Sequence, residues 1–306
     1  MEVKDFSAWT PYEGFAEGSG RSEKIWLKSP NGQIGLFKFP KMDPVDNSET
    51  TEHISEHLAY KLGEILEVST AEVEIGKYNG RIGSMSYIVC EPNEVLREGI
   101  GFISGKYPNF NAETMRDEED GRYYCLEHIL NSVPKWVPSK IWIEMMMFDF
   151  LIGNADRHQS NWALLFKITL DEKIELRVRQ CPLYDNGSSL CCYVNKEQVS
   201  ELLGKDKVRF EALVDTKSLS MIRLDGTEKK RPTHRTVIKY LMEKYPVARG
   251  IAMSFLEKLD DNTYQTLIDE YPEDIVSAQK KELIKRYIYR KLEIMQSVLE
   301  EVCCYE

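Results

Sequence analysis

Asp156 and Asn161 stand five positions apart in GNADRHQSNWALLF, and Asp185 follows in CPLYDNGSSL. Two carboxylates and one amide oxygen are hard ligands, the kind that suits Mg²⁺. Mg²⁺ keeps several waters and is completed by substrate phosphates, so few protein ligands suffice. Phosphoryl transfer asks for the same residue types. It needs an aspartate near the accepting hydroxyl, an Asn and an Asp on Mg²⁺, and a Lys on the phosphates. The polar cluster interrupts two apolar runs, FDFLIG and WALLF. A buried polar group without a partner is costly, so the stretch is either a solvated turn or a site.

The remaining parts must come from upstream. Lys38 lies in GLFKFP, in the second strand of an expected hairpin, and Glu56 follows on an expected helix, with Glu52 one turn earlier as the alternative brace. Phosphates also need a loop rich in backbone N–H groups, and EGSGRSEK (17–24) precedes the hairpin. Each of these has a plain reading alone. A GSG is a linker-like turn, Lys38 a solvated strand residue, Glu52 and Glu56 the polar face of a helix, and Asp-Asn-Gly a favoured turn. His158 alone reads as an orienting histidine. The order carries the argument: Gly-rich loop, strand Lys, helix Glu, Asp-x4-Asn, then Asp-x-Gly.

Elements that would position these residues follow from pattern. Residues 21–90 read as strands with one helix. Pro30-Asn31-Gly32 and Asn79-Gly80 mark two hairpin turns. Between them, Ile54, Leu58, Leu62 and Ile65 have helical spacing, with Ser48 as the expected N-cap. The segment from about 100 to 125 reads as a surface loop. From 139 the pattern is helical, with a first helix ending at Gly153, a break over 154–192, and long amphipathic helices at 233–258 and 273–301. Asp185 is expected in a short apolar strand ending at Gly187. Trp136, Trp142, Phe148 and Phe150 are expected in the core. The change from strands to helices near 91–95 divides the chain into 1–92 and 93–306.

Composition narrows the class. The chain has 306 residues, 42% of them apolar, enough for a sizeable core. Its net charge of −10 argues against direct nucleic-acid binding. Seven Cys, an odd number with no CxxC, form neither a disulfide framework nor a zinc site and point to a reducing compartment. The N-terminus shows no apolar signal segment and no run is long enough to span a bilayer. A cytoplasmic protein is expected.

At this point GNADRHQSN and LYDNGSSL resemble the C-terminal kinase domain of the HipA-like family of bacterial kinases, whose loop reads Asn-x-Asp-x-His-x-x-Asn. GSGRSEKIWL is similar to that family's phosphate loop, and SEHLAYKLGEILEVSTAEVEI to its helix C and the next strand. The resemblance covers roughly 15–300. It implies an α+β, protein-kinase-like, two-lobed fold, with a small strand-rich N-lobe and a larger helical C-lobe. It implies ATP with Mg²⁺ and transfer to Ser or Thr hydroxyls of a protein substrate. By the same resemblance Asp156 is the base, Asn161 and Asp185 are the metal ligands, and Lys38, braced by Glu56, holds the phosphates. His158 positions the loop. Gly18, Ser19, Gly20, Arg21 and Ser22 line the phosphates, and the hinge from Val89 to Pro92, with Val89 and Glu91, offers backbone groups to adenine. The family also implies self-phosphorylation of a loop serine, Ser22 before Ser19. The N-terminal subdomain of the longer members is absent, which argues against a HipB-type antitoxin partner. The Asp-Arg-His-x-x-Asn wording is similar to type II phosphatidylinositol kinases and secretory-pathway kinases too. A lipid or small-molecule acceptor, met by the basic residues of the last helix (Lys280, Lys281, Lys285, Arg286, Arg290, Lys291), therefore stays open, as does a catalytically idle nucleotide-binding regulator.

Overall fold

The structure is a computed structural model that describes residues 1–14, 23–170 and 174–304. The expected phosphate-loop residues Gly18, Ser19, Gly20, Arg21 and Ser22 lie outside the described residues.

The N-terminal part contains strands β1 (Lys4–Asp5), β2 (Thr10–Pro11), β3 (Lys24–Lys28) and β4 (Ile34–Lys38), helix α1 (Glu52–Leu66), and strands β5 (Val73–Tyr78) and β6 (Arg81–Tyr87). The strands form one sheet in the order β1-β5-β6-β4-β3-β2. Both expected hairpins form. Asn79 and Gly80 take φ of 49° and 81°, the left-handed pair that a tight two-residue turn requires. The β3–β4 register sets Ile25 opposite Phe37 and Leu27 opposite Gly35. Phe37 and Leu27 then pack with Phe6 and Met85 on one face, which leaves Lys38 on the other. Helix α1 starts at Thr51, not Ser48, whose side chain is tied to Asp46 in the preceding turn.

Residues 88–93 connect this sheet to β7 (Glu94–Glu98), followed by α2 (Gly99–Lys106), β8 (Phe110–Asn111), β9 (Arg116–Asp117), α3 (Leu126–Ser132), α4 (Lys140–Ile152), β10 (Ala163–Leu170) and β11 (Ile174–Gln180). The rest is α5 (Lys196–Leu203), α6 (Lys207–Glu211), α7 (His234–Lys244), α8 (Pro246–Lys258), α9 (Asp261–Asp269) and α10 (Ala278–Cys303). Strands β11, β10 and β7 make a separate antiparallel sheet. The main core joins α1, α4 and the helices from α7 onward, with Trp142, Phe148, Phe150 and Ile288 buried in it.

Several expectations are corrected. The 100–125 loop contains α2, which holds three Gly yet buries Phe102 and Ile103. The expected 233–258 helix is two helices, because Pro246 cannot donate its backbone N–H and starts a new one. The last helix begins at Ala278, after α9. The break at 154–192 contains the β10–β11 hairpin. Asp185 lies on no strand; only Leu183 bridges to Thr70, and Asp185 itself takes φ of 56°. Trp136 is 60% exposed. All seven cysteines are free thiols. Among the described residues no helix is long and apolar enough to cross a membrane.

The basic face of α10 is also corrected. Lys291 is completely buried, and Lys280 donates to the carbonyls of Cys191 (2.6 Å) and Val194 (2.9 Å). Lys281 donates to the Asp269 carbonyl, and Lys285, Arg286 and Arg290 pair with Asp269, Glu282 and Glu211. Lys280, Lys281 and Lys291 are thus committed inside the fold, while Lys285, Arg286 and Arg290 hold ion pairs at the helix surface.

Candidate active site

Helix α4 ends at Gly153, whose φ of 67° makes the left-handed cap. A Cβ there would also lie 1.9 Å from the Tyr287 hydroxyl, so only glycine fits. The chain then turns sharply. Asp156 N–H donates to Asn154 Oδ1 (3.0 Å), and the Asp156 carbonyl accepts from His158 N–H (2.8 Å) and from Asn161 Nδ2 (2.7 Å). Ser160 N–H donates to His158 Nδ1 (3.2 Å), so that nitrogen is an acceptor and His158 braces the turn from within. Asn161 is buried, and with its amide nitrogen on the Asp156 carbonyl its side-chain oxygen is left as an acceptor.

Lys38 Nζ meets Glu56 Oε1 and Asp185 Oδ1, each at 2.9 Å. Glu56 is thus the brace. Glu52 pairs instead with Lys41 (2.7 Å) and accepts from the Tyr193 hydroxyl (2.8 Å). Burial opposes the Lys38 charge, but Glu56 and Asp185 together hold its pKa well above the ordinary lysine range. Lys38 in turn leads the causes that hold the Asp185 carboxyl down at about 2. Burial pushes Glu56 upward against the pull of Lys38. Burial also raises Asp156; His158, Lys41 and Arg231 oppose the shift and Asp185 adds to it. That is the direction a group needs if it is to accept a proton.

Asp156, His158, Asn161, Asp185, Lys38 and Glu56 therefore converge from segments far apart in sequence, Lys38 and Asp185 being separated by 147 positions. Val89 and Glu91 lie in the connection to β7. The Val89 carbonyl accepts from Arg179 Nη2 (3.0 Å), and Glu91 N–H donates to Glu94 Oε2 (2.8 Å). The Glu91 donor is thus already used, while the Val89 carbonyl keeps a second lone pair. Ala163, Leu165 and Cys181 form a small apolar cluster against Val89, Cys90, Leu96 and Tyr184.

Two residues that bind this site together, Arg157 and Asp149, were missed in the sequence. Arg157 is buried, with Nε (3.0 Å) and Nη2 (2.7 Å) on the Asp149 carboxylate. Its Nη1 donates to the carbonyls of Asn161 (2.8 Å) and Tyr184 (2.9 Å), and Nη2 also to Asn186 Oδ1 (2.6 Å). One guanidinium thus joins α4, the 156–161 turn and the Asp185 segment. The signal for it was Asp149, a carboxylate in the apolar run MMMFDFLI that would need a buried partner.

The donor set fits Mg²⁺: Asn161 and Asp185 supply hard oxygens, and nearby Lys38 complements phosphate. Among the described residues no group of three or more His, Cys, Asp or Glu could hold a metal ion. A metal here would depend on the Asn amide and on phosphate oxygens.

No protein-family model matches the chain. The serine/threonine-protein kinase CtkA of Helicobacter pylori is 25% identical over 205 residues, 63% of this chain and 57% of that protein. The aligned part thus spans little more than half of that relative. Among solved structures, a Helicobacter pylori proinflammatory kinase CtkA matches with a TM-score of 0.79 at 17% identity, over 98% of this chain and all of the other. HipA from the Shewanella oneidensis toxin–antitoxin complex with HipB and operator DNA matches with a TM-score of 0.54 at 13% identity, over 98% of this chain and 69% of the other. The fold is α+β and similar to those of CtkA and HipA, as the sequence resemblance implied.

Proposed function

We propose that this chain is an ATP- and Mg²⁺-dependent kinase that transfers the γ-phosphoryl group to Ser or Thr hydroxyls of a protein. The observation that carries the reading is Lys38 held between Glu56 and Asp185, next to the Asp156–Asn161 turn. Lys38 would hold the phosphates of ATP. Asn161 and Asp185 would hold Mg²⁺, which when bound spreads the charge of the moving phosphoryl group. Asp156 orients the acceptor hydroxyl and receives its proton. The hydroxyl oxygen bonds to the γ-phosphorus as the bond to the bridging oxygen breaks, and ADP leaves with that oxygen. The similarity to a serine/threonine kinase supports this class of acceptor.

The test is transfer from radiolabelled ATP onto mixed protein, onto the chain itself and onto phosphoinositide vesicles. Lys38→Ala and Asp156→Asn should lose transfer. Lys28→Ala should retain it, because Lys28 is exposed at the far end of β3, opposite Ile34. No transfer by the wild type to any acceptor would favour the idle regulator. The α10 cations lend the lipid alternative little, since Lys280 is buried on backbone carbonyls and Lys285 and Arg290 are paired with carboxylates. Phosphorylation of Ser22 or Ser19 is read by intact mass and peptide mapping after incubation with Mg-ATP.

A further inference from the structure

The chain carries 50 acidic against 40 basic side chains. Yet Lys229, Lys230 and Arg231 run consecutively, and among the described residues none of them has an ion pair. Lys229 and Lys230 are exposed, and Arg231 is half-buried.

This segment is fixed in place. Arg223 donates to the carbonyls of Glu228 (2.9 Å) and Lys229 (2.6 Å), while its guanidinium stacks over Tyr123 at 4.7 Å. The Pro232 carbonyl accepts from Ser220 N–H (3.0 Å), and Leu219 bridges to Thr233. The nearby Asp225 carboxylate is occupied by Thr227.

The segment is also aimed. Arg231 Nη1 donates to the carbonyl of Ala155 (3.1 Å), the residue just before Asp156. Its charge is among those felt by the Asp156 carboxyl, and it lies close enough to Arg223 to disfavour that second charge. Arg231 Nη1 is spent on the Ala155 carbonyl and the Met221 sulfur (3.7 Å), and Nε and Nη2 remain as a pair that suits a carboxylate or phosphate.

We propose that Arg231, with Lys229 and Lys230, forms an acceptor-side subsite that selects a protein segment carrying Asp or Glu beside the Ser or Thr to be phosphorylated. The inference rests on the kinase reading and names its substrate class. Arg231 bonds the carbonyl one residue before Asp156, so the acid it recognises lies within a few residues of the acceptor hydroxyl. An acidic peptide suits the subsite better than an anionic membrane. The patch is a short run beside the Asp156 turn, and the longer row of cations on α10 is either buried, as Lys280 and Lys291 are, or paired with carboxylates, as Lys285, Arg286 and Arg290 are.

The test uses the full chain and two Ser peptides that differ only in Glu or Gln flanking the serine. It reads both kcat/KM for transfer and binding by fluorescence anisotropy without ATP. The Glu peptide should be favoured by at least about tenfold in both, the scale of a charge-assisted contact. Lys229→Glu with Lys230→Glu should lower the Glu-to-Gln ratio several-fold, and Arg231→Gln should lower it further. Raised salt should compress the ratio in the wild type. Equal treatment of the two peptides, an unchanged ratio in both variants, or preferred labelling of phosphoinositide vesicles would overturn the proposal. If no acceptor is ever labelled but the Glu peptide binds selectively and the variants abolish that selectivity, the kinase reading fails and the acidic-segment site stands.

Discussion

Two fully buried cations sit in the helical core, and the protein treats them differently. Arg157, at the 156–161 turn, places all of its N–H groups: two on Asp149 and the others on Asn161, Tyr184 and Asn186. Lys291, on α10, has one hydrogen-bond partner, Ser218 Oγ at 2.9 Å, and the rings of Phe150 and Tyr287 at 4.6 and 5.4 Å. A buried charge is tolerated when it is paired and its donors are satisfied; otherwise the group gives up its proton. Burial accordingly pushes Lys291 down to about 7, whereas Asp149 keeps Arg157 charged despite the same burial. The guanidinium that ties the 156–161 turn to α4 keeps its charge, and the amine on α10, with fewer partners, holds its proton less tightly.

The most damaging way to probe this contrast is Arg157→Ala. It leaves Asp149 buried and uncompensated and releases the catalytic turn from the Asp185 segment. A loss of about 3–5 kcal/mol is expected in urea unfolding, together with loss of transfer. Replacing both partners, Arg157→Met with Asp149→Leu, should recover much of the stability but not the activity. If Arg157→Ala costs no more stability than Lys291→Ala, the distinction between the two regions is wrong.

On the proposed kinase reading, Asp185→Asn acts at the chemistry and not on the frame. Asp185 is about half exposed and its lysine keeps Glu56, so the thermal midpoint should move little. Transfer should fall at least about 10²-fold, because the lost charge faces the moving phosphoryl group. An active Asp185→Asn protein would remove this residue from the site.

These two substitutions also show what the sequence could and could not carry. Lys38, Glu56, Asp156, Asn161 and Asp185 were legible because their spacing and order match a known chemistry, even though each has a plain reading alone. Arg157 and Asp149 were not, because a buried pair built from a turn and a helix interior leaves no period to read. The hairpins were legible from Pro30-Asn31-Gly32 and Asn79-Gly80, residues that take turn geometry locally. Helix α2 was hidden by Gly99, Gly101 and Gly105, each of which lowers helix propensity. Burial of Phe102 and the stacking of Arg97 on it at 4.6 Å offset that cost. The fate of the α10 lysines was illegible for the same reason as Arg157: amphipathic spacing locates a polar face but does not say which neighbour covers it.

A third perturbation tests buried groups kept neutral on α1, the helix that carries Glu56. Burial lowers His53 and His57 to about 4. His53 Nδ1 has no partner, and His57 Nδ1 meets the Tyr271 hydroxyl at 2.6 Å. Their folded pKa values lie below the unfolded value of about 6.5. The stability they allow is therefore present above pH 6.5 and is lost as pH falls toward 4, where only the unfolded chain binds the protons. The thermal midpoint should drop across that window, and His57→Gln should shrink the drop. A midpoint flat from pH 6.5 to 4.5 would contradict the assignment.

The smallest effect expected near neutrality belongs to Lys291, and its sign separates it from Arg157. Asn154's carbonyl can only accept, so His234 Nε2 (3.1 Å) carries the proton and Nδ1 accepts from the Ser218 hydroxyl. That leaves the Ser218 oxygen to accept from Lys291. The Lys291 ammonium has three donors and one such acceptor, with Asp215 and the Cys191 thiol acting only at a distance. The folded pKa of about 7 lies below the unfolded value of about 10.4, so the unfolded chain holds the extra proton between them. Stability from this group should rise as pH climbs from 7 toward 10. The chain's net charge of −10 grows more negative over the same range and works against the rise. The informative quantity is therefore the difference between wild type and Lys291→Met. At pH 7 the variant should be as stable as the wild type or slightly more so, since it removes a poorly compensated amine. The wild type should gain on it steadily up to about pH 9.5. Thermal midpoints that run parallel across that range would mean that Lys291 stays charged in the fold, and that it is compensated as fully as Arg157.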